Sequence, residues 1–273
     1  MPLLKTPAVT LKSRRWGEAD RIVTFYTLRF GKIRGVARGA RRIKSRFGCA
    51  LEPFVACDLN LFEKPHDSLY RITQADIREV FPPLRDDLTV MSAAARLANL
   101  VSAITPEGDS SPAIFETILE GFRALASEGD PLLTALLFQI RLLGEAGFRP
   151  QTDHCTGCNG EVVHRERPVL FSPQSGGLVC DACSHRYSGR CLPLSPASRG
   201  LLHQARRWAP PLLLRLKASP PIRVELEAAI DAYATMVAGK YLPPTDFLAA
   251  EPAPSRYRAT LRSADCAVPP GTI

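Results

Sequence analysis

The spacing of hydrophobic and polar positions divides the chain into two parts. Between residues 7 and 80, short segments of alternating character are separated by Gly, Asp and Pro, which is typical of β-strands. The pattern predicts five strands, marked by Val9 with Leu11 and then by residues 21–28, 31–39, 52–62 and 69–77. Five short strands in one small region predict a closed barrel, for which the OB-fold is the common five-stranded form.

After Pro82 and Pro83 the hydrophobic positions change to helical spacing. A first helix is marked by Leu88, Met91, Ala95, Ala98 and Val101. Later helix starts combine a capping residue with a proline in the first turn, which favours helix initiation. They are Ser111-Pro112, Asp130-Pro131 and Ser195-Pro196, and Ser219-Pro220-Pro221 precedes the last helix. The residues from 250 onward have no such periodicity and predict a mobile tail.

The two patterns together predict a multidomain α+β protein. We expect an N-terminal five-stranded OB-fold barrel over residues 1–80 and an all-α helical domain over residues 81–249, with a tail at residues 250–273. The apolar helical stripes are core by default, so we assign them no cofactor. A cysteine-rich insert at residues 151–192 interrupts the helical domain and carries the strongest chemical signal in the sequence.

Two C-x-x-C pairs lie in this insert, and twenty-one residues separate them. Their members are Cys155, Cys158, Cys180 and Cys183. Each pair aims two sulfurs at one point, and four thiolates complete a tetrahedral site for one Zn²⁺ per chain. Such a closed site leaves no coordination position for water or substrate, so we expect a structural, zinc-finger-like role.

Two disulfides or a redox pair are the alternative interpretation of these cysteines. A redox C-x-x-C needs no second copy, and the N-terminus lacks the apolar stretch of a secreted protein, so zinc is favoured. His154 and His185 lie beside the pairs, but four cysteines already satisfy the metal, and we expect both to be neighbours. Residues 162–163 and 169–171 predict a short β-hairpin around a turn at 165–168.

Composition indicates a folded protein and shows where the charge lies. The chain is 45% hydrophobic and has no apolar run long enough to cross a membrane, so we expect a soluble, cytoplasmic protein. The net charge of +8 comes from residues 1–80, where sixteen Lys and Arg accompany eight Asp and Glu. A localised positive field suits a polyanion-binding module, although charge alone is equally consistent with a solubilising surface.

The positive charge is concentrated between Arg29 and Arg46, where eight basic residues occur without an acidic one. In the third predicted strand Lys32, Arg34 and Arg38 share one face. The following loop adds further cations, and two arginines of an earlier loop extend the set, which we call the basic strip. Its members are Arg14, Arg15, Lys32, Arg34, Arg38, Arg41, Arg42, Lys44 and Arg46. A solvated face normally mixes both signs, so the single sign favours phosphate binding.

Three aromatic residues, Phe25, Tyr26 and Phe47, lie close to the basic strip in sequence. They are candidates to stack on nucleic-acid bases, although aromatic residues in short strands are more often core. No catalytic motif stands out, since the chain has no P-loop, no G-x-S-x-G, no H-E-x-x-H and no paired carboxylates. We therefore expect a non-enzymatic protein, and a hydrolase or nuclease lacks candidate residues.

Three segments of the chain together carry a resemblance to a known family. The first is Gly17 to Arg21 with Thr27 and Gly31-Lys32, and the second is residues 35–47 with residues 51–54. The third is residues 141–150, Cys155, Cys158, Phe171-Ser172, Gly176-Gly177, Cys180 and Cys183. They resemble, in this order, the first hairpin, the basic connection and the helix-plus-zinc segment of the RecO family of bacterial recombination-mediator DNA repair proteins.

The resemblance implies a non-enzymatic DNA-binding mediator of recombination. Proteins of this family bind single- and double-stranded DNA, anneal complementary strands and work with RecR. They help to load recombinase onto strands coated by single-stranded-DNA-binding protein (SSB), whose acidic tail they contact. The resemblance thus implies DNA, RecR and SSB as partners, zinc as a trait of a subgroup, and a cytoplasmic, nucleoid-associated location.

One family feature does not transfer to this sequence. A basic cluster is expected near the start of the helix at 131–146, but only Arg141 is basic there, so the sequence does not place the SSB contact. A different class of function also remains, namely a zinc-stabilised interaction scaffold whose basic barrel binds acidic protein partners. DNA affinity at low salt separates the two hypotheses, because only the first predicts it.

Overall fold

The structure is a computed structural model that describes residues 3–63, 69–162, 168–187 and 191–242. Its N-terminal part contains five strands, which are β1 (Leu3–Trp16), β2 (Asp20–Thr27), β3 (Gly31–Ala37), β4 (Ala56–Phe62) and β5 (Tyr70–Glu79). All five predicted strands are therefore present. They close on themselves in the order β1-β2-β3-β5-β4, with β3 and β5 parallel and the other pairs antiparallel.

The alternation in the sequence determines which side chains fill the interior of this barrel. Along β3, residues at odd positions are buried and those at even positions are half-buried, so the basic residues face outward as predicted. Phe25, Tyr26 and Phe47 are all buried, with at most 2% of each exposed. The interpretation of these aromatics as core residues is confirmed, and none of them is free to stack on a base.

The helical part follows the barrel. Its helices are α1 (Pro83–Asp86), α2 (Leu88–Ile104), α3 (Pro112–Leu125), α4 (Pro131–Glu145), α5 (Asp181–Ser184), α6 (Pro196–Ala205), α7 (Pro210–Leu213) and α8 (Pro220–Ala238). The side chains of Ser111, Asp130 and Ser195 accept hydrogen bonds from N–H groups in the first turns of α3, α4 and α6. These caps satisfy orphan donors and explain why the helices begin there.

The buried face of α2 differs in part from the predicted stripe. Leu88 and Met91 are exposed, whereas Ala93, Leu97 and Leu100 are buried. Helix α2 has apolar residues on more than one narrow stripe of its surface. Which of them are buried therefore depends on how α4 packs against α2. No helix in the described residues combines the length and the apolar character needed to cross a membrane.

The cysteine-rich insert contains a small three-stranded sheet. Its strands are β6 (Val169–Ser172), β7 (Gly177–Val179) and β8 (Leu192–Leu194), in the order β7-β6-β8. The predicted hairpin was wrong in its partner, because β6 pairs with β7 and β8 while Val162 belongs to no strand. Residues 163–167, the rest of that predicted hairpin, and the predicted tail at 250–273 lie outside the described residues.

The barrel contacts the helical part through the loop between α2 and α3. The Gly108 N–H donates to the carbonyl oxygen of Lys32 at 3.0 Å, and the Ser111 N–H donates to the Tyr26 hydroxyl at 3.1 Å. Gly31 has φ of +59°, and a Cβ there would lie 1.9 Å from the carbonyl oxygen of Asp109. Only glycine therefore allows the two backbones to come this close.

Candidate metal centre and nucleic-acid interface

The four cysteines of the two C-x-x-C pairs converge, as their spacing predicts. Their sulfur atoms all lie within 4.8 Å of one another. Cys155 Sγ lies 3.7 Å from Cys180 Sγ, and Cys158 Sγ lies 3.9 Å from Cys180 Sγ. A tetrahedral zinc site with Zn–S bonds of about 2.3 Å has sulfur–sulfur edges of about 3.8 Å. The donor set and its size therefore fit a tetrahedral zinc ion, and Zn²⁺ would add charge balance and cross-linking there.

Backbone hydrogen bonds shape both cysteine turns. In the first turn, the Cys155 N–H donates to the Gly160 carbonyl oxygen at 2.8 Å, and the next residue, Thr156, donates its N–H to the Leu178 carbonyl oxygen. This second bond fixes the turn against β7. In the second turn, Cys180 precedes α5 directly, and the Cys183 N–H donates to its carbonyl oxygen at 3.0 Å. Each pair thus presents both sulfurs from one rigid turn.

Gly157 is required by the closeness of the two turns. A Cβ at this position would lie 2.9 Å from the Cys183 Cβ and 3.1 Å from its sulfur. The first distance is shorter than real Cβ contacts and the second is tighter than most of them, so a side chain here would require the two turns to shift. The local sequence therefore keeps the four sulfurs within the span of one ion.

The backbone also favours a thiolate at the centre of the cluster. The N–H groups of Gly157 and Cys180 both donate to Cys155 Sγ, at 3.4 and 3.3 Å. Burial raises the pKa of Cys155, but these N–H donors outweigh it and lower that pKa to about 6. A hydrogen bond with Cys180, together with burial, raises the pKa of Cys183 to about 12. Without a cation, the crowded thiols therefore divide into one that ionises readily and one that keeps its proton.

The neighbours of the cluster are as expected. Among the described residues the metal-ligand group consists of the four cysteines, and His154 and His185 are exposed and outside it. Cys155 and Cys183 are buried and belong to the hydrophobic core shared with the helices. A metal held there would join the insert to the helical core, which is a structural role.

The basic strip divides into two groups of different surroundings. Lys32 and Arg34 face the helical part, although their sequence pattern resembles that of the other members. The Lys32 ammonium donates to the carbonyl oxygens of Ser102, at 2.8 Å, and Thr105, and Arg34 Nε lies 2.7 Å from Glu107 Oε1. Burial lowers the pKa of Lys32. Since Ser102 and Thr105 lie at the C-terminal end of α2, the ammonium also lies at the negative end of that helix.

The other members of the basic strip form what we call the exposed cationic face. They are Arg14, Arg15, Arg38, Arg41, Arg42, Lys44 and Arg46, and all seven are exposed. The prediction that Arg14 and Arg15 lie in a loop was wrong, because pairing with β2 extends β1 to Trp16. In the part of the chain that the structure describes, no carboxylate forms an ion pair with any of them. Uncompensated cations of one sign produce the positive potential that attracts a polyanion.

A second basic site was not predicted from the sequence. A pocket of about 380 Å³ opens beside the C-terminal half of α4. Its lining residues are Ile140, Arg141, Gly144, Glu145, Arg149, Arg206 and Arg207. Only Arg141 stood out in the sequence, because the other arginines come from residues 149 and 206–207, which the fold brings to the same helix. No local pattern connects positions so far apart.

A cationic barrel, a helical part and four cysteines whose sulfur spacing fits a metal ion together define a protein with a positively charged surface and a candidate metal site. The comparisons with known proteins make this class specific. Residues 1–81 match the family model "Recombination protein O N terminal", and residues 85–244 match "Recombination protein O C terminal". The chain belongs to the RecO family of DNA repair proteins.

Individual relatives agree with the family models. The chain is 32% identical to the DNA repair protein RecO of Desulforamulus reducens over 248 residues, which cover 91% of this chain and 94% of the relative. It is 34% identical to the RecO protein of Heliobacterium modesticaldum over 84% of this chain and 83% of that relative. It is 35% identical to the RecO protein of Geobacter metallireducens over 73% of this chain and 80% of that relative. These similarities support a role in recombination repair.

Proposed function

We propose that the protein is a non-enzymatic recombination mediator that binds single- and double-stranded DNA through its barrel and anneals complementary strands. The exposed cationic face carries this proposal, because its seven cations have no carboxylate partners among the described residues. Neutralising the phosphates of two strands removes their mutual repulsion, so annealing follows without any reading of bases. In this proposal the barrel acts as an OB-fold, a class that commonly binds single strands in a basic groove.

The salt dependence of DNA binding tests the proposal. Reversing four charges together, Arg38, Arg41, Arg42 and Lys44 to Glu, should weaken binding and flatten its slope against log salt. For single strands the slope should change by about 3, since each phosphate contact contributes about 0.7. A matched control reverses four exposed cations elsewhere. These are Arg71, Arg186, Arg215 and Lys217.

The control has the same net charge as the test variant, so it separates local contacts from overall charge. The proposal requires the control to keep most of the slope. Equal slopes for both variants would show that net charge alone attracts DNA and that this face makes no special contact. Binding to acidic proteins with no measurable DNA affinity at low salt would instead favour an interaction scaffold.

Zinc, RecR and SSB complete the proposed function. The four cysteines would hold one structural Zn²⁺, since their sulfur spacing fits it. RecR and SSB are the partners that family membership suggests. Within the described residues, we assign an acidic SSB tail to the arginine-lined pocket beside α4, because Arg149 and Arg207 line it and contribute positive charge.

Annealing of SSB-coated strands tests the proposed partners. The protein, with RecR present, should anneal complementary oligonucleotides that are coated with SSB as well as bare ones. Reversing Arg149 and Arg207 to Glu should slow annealing on coated strands and leave bare strands unaffected. The same loss on strands coated with tail-deleted SSB would show that the pocket does not receive the tail.

A further inference from the structure

Two large apolar side chains are exposed to solvent next to residues of the exposed cationic face. Ile43 is fully exposed, at 105% of its reference area, and lies in the loop between Arg42 and Lys44. Trp16 is 56% exposed and follows Arg14 and Arg15 at the end of β1. Single exposed apolar residues are common, but Ile43 lies directly between two cations, and Trp16 directly follows two others and precedes Gly17 and Glu18. None of these four cations has an acidic partner in the described chain.

Hydrogen bonds from backbone and side-chain groups hold the two segments together. The Arg41 N–H donates to the carbonyl oxygen of Ala19 at 2.9 Å, and the Arg41 guanidinium donates to that of Glu18 at 2.7 Å. The Gly39 N–H donates to Asp20 Oδ1 at 2.8 Å. The Arg41 guanidinium also donates to the carbonyl oxygen of Gly17 at 3.3 Å. The turn that follows Trp16 and the loop that carries Ile43 are therefore joined by four hydrogen bonds and lie side by side.

The loop is also held at its far end, so Ile43 has a defined place. Phe47 is buried, with 2% exposed, and fastens the loop to the barrel core. The Arg46 guanidinium lies over the Phe47 ring at 5.1 Å from the centroid. With both ends of the loop fixed, Ile43 projects from it into solvent.

The chemistry around these side chains selects the partner. A membrane interior or an apolar protein surface would have to bury the surrounding guanidinium groups without compensation, which is costly. The partner must neutralise the cations and also offer apolar surface to Trp16 and Ile43. A nucleic acid does both, because its phosphates are negatively charged and its bases have apolar faces. We propose that Trp16 and Ile43 contact the bases of a single strand whose phosphates are held by the cations around them.

This inference rests on the proposed DNA binding and extends it to a preference. Bases of a single strand are unstacked and can lie against Trp16 or beside Ile43, whereas those of a duplex are stacked on one another. The contacts therefore favour single strands over duplex and do not depend on base identity.

The experiment compares an oligo-dT with an abasic oligomer of the same length, which has the same phosphates and no bases. The wild-type chain should bind oligo-dT about 5- to 150-fold more tightly, the range of one base–aromatic stack. In the double variant Trp16→Ala/Ile43→Ser this ratio should fall to near one, with affinity for the abasic oligomer unchanged. The control Ile77→Ser/Val224→Ala removes two other exposed apolar side chains and should keep the wild-type ratio.

The outcomes separate this inference from the function on which it rests. Equal wild-type affinity for both oligomers, or a ratio that survives in the double variant, overturns the base contacts and leaves phosphate binding intact. No binding of either oligomer overturns the proposed function as well. A second measurement needs no change at the site, because Trp208→Phe leaves Trp16 as the only tryptophan. Oligo-dT should quench its fluorescence and the abasic oligomer should not.

Discussion

At the scale of single residues, Gly31 shows how one backbone position joins two parts of the molecule. Its φ is +59°, and a Cβ would lie 1.9 Å from the Asp109 carbonyl oxygen. We expect Gly31→Ala to lower the free energy of unfolding by about 1–3 kcal/mol, because it adds left-handed strain and a backbone clash. Urea unfolding followed by circular dichroism measures this.

Gly200→Ala is the matched control for that substitution. Gly200 lies within α6, and apart from the local backbone of that helix and the neighbouring residues no atom lies within 4 Å of the position that an alanine methyl group would occupy. Alanine should therefore be neutral or slightly stabilising there. Similar unfolding energies for the two variants would mean that the loop at Asp109 moves away at no cost. The interface between barrel and helices would then be softer than its hydrogen bonds suggest.

The four cysteines give a second prediction at this scale. The purified protein should hold one equivalent of zinc, and Cys183→Ser should reduce both the zinc content and the melting temperature, because metal binding is coupled to folding. Elemental analysis and thermal unfolding measure the two effects. Cys49→Ser is the control, since Cys49 is exposed and lies outside the cluster. Stoichiometric zinc in a Cys155→Ser/Cys183→Ser double variant would contradict the four-thiolate site.

At the scale of elements, one polar group connects three helices. Arg96 of α2 is buried, with 6% exposed, and its guanidinium contacts Glu227 and Asp231 of α8. Gln139 of α4 donates from Nε2 to Asp231 Oδ1 at 3.1 Å. The network fixes the register of α2 and α4 against α8, which apolar packing alone specifies less strictly.

Arg96→Met should therefore destabilise the fold by about 2–3 kcal/mol. Removing one partner of a fully buried ion pair costs roughly 3–5 kcal/mol, and we expect a smaller loss here because the two carboxylates keep some contact with solvent. Burial already raises the pKa of Asp231, and Arg96 opposes that effect. Without Arg96 the pKa rises further, so protonation stabilises the folded variant and the loss should shrink as the pH falls through that pKa. Guanidinium unfolding at several pH values measures this, and a loss independent of pH would contradict it.

The sequence predicted elements where the pattern is local. Alternation marked the five strands, and the cap at Asp130 marked the start of α4 correctly. The strand β8 was missed, because Leu192 and Leu194 are too short a pattern to distinguish from a loop. The covered face of α2 was partly missed, since it depends on packing against α4 and not on the spacing within α2 alone. The cluster of cysteines was predicted because each C-x-x-C carries its own turn.

At the scale of the whole molecule, the sequence could not separate the two groups of the basic strip. Lys32 and Arg34 share the outward face of β3 and the same local charge pattern as their neighbours. Their partners, Ser102, Thr105 and Glu107, are about seventy residues away and meet them only because the barrel docks against the end of α2. Structure alone therefore distinguishes a cation that holds the molecule together from one that is free to bind.

This division predicts that alanine substitutions in the first group lower stability, whereas those in the second group weaken DNA binding. Lys32→Ala/Arg34→Ala should lower the melting temperature, because it removes the cations from the end of α2 and from Glu107. It should leave the salt slope of DNA binding close to that of the wild-type chain.

Arg38→Ala/Arg42→Ala should flatten the salt slope and leave the melting temperature close to that of the wild-type chain. Both side chains are exposed and free of ion pairs in the described residues, and each lost phosphate contact flattens the slope by about 0.7 on single strands. Thermal unfolding and fluorescence anisotropy on the same preparations measure both effects. A flattened slope with unchanged stability for the Lys32/Arg34 variant would place those residues on the DNA and undo the division.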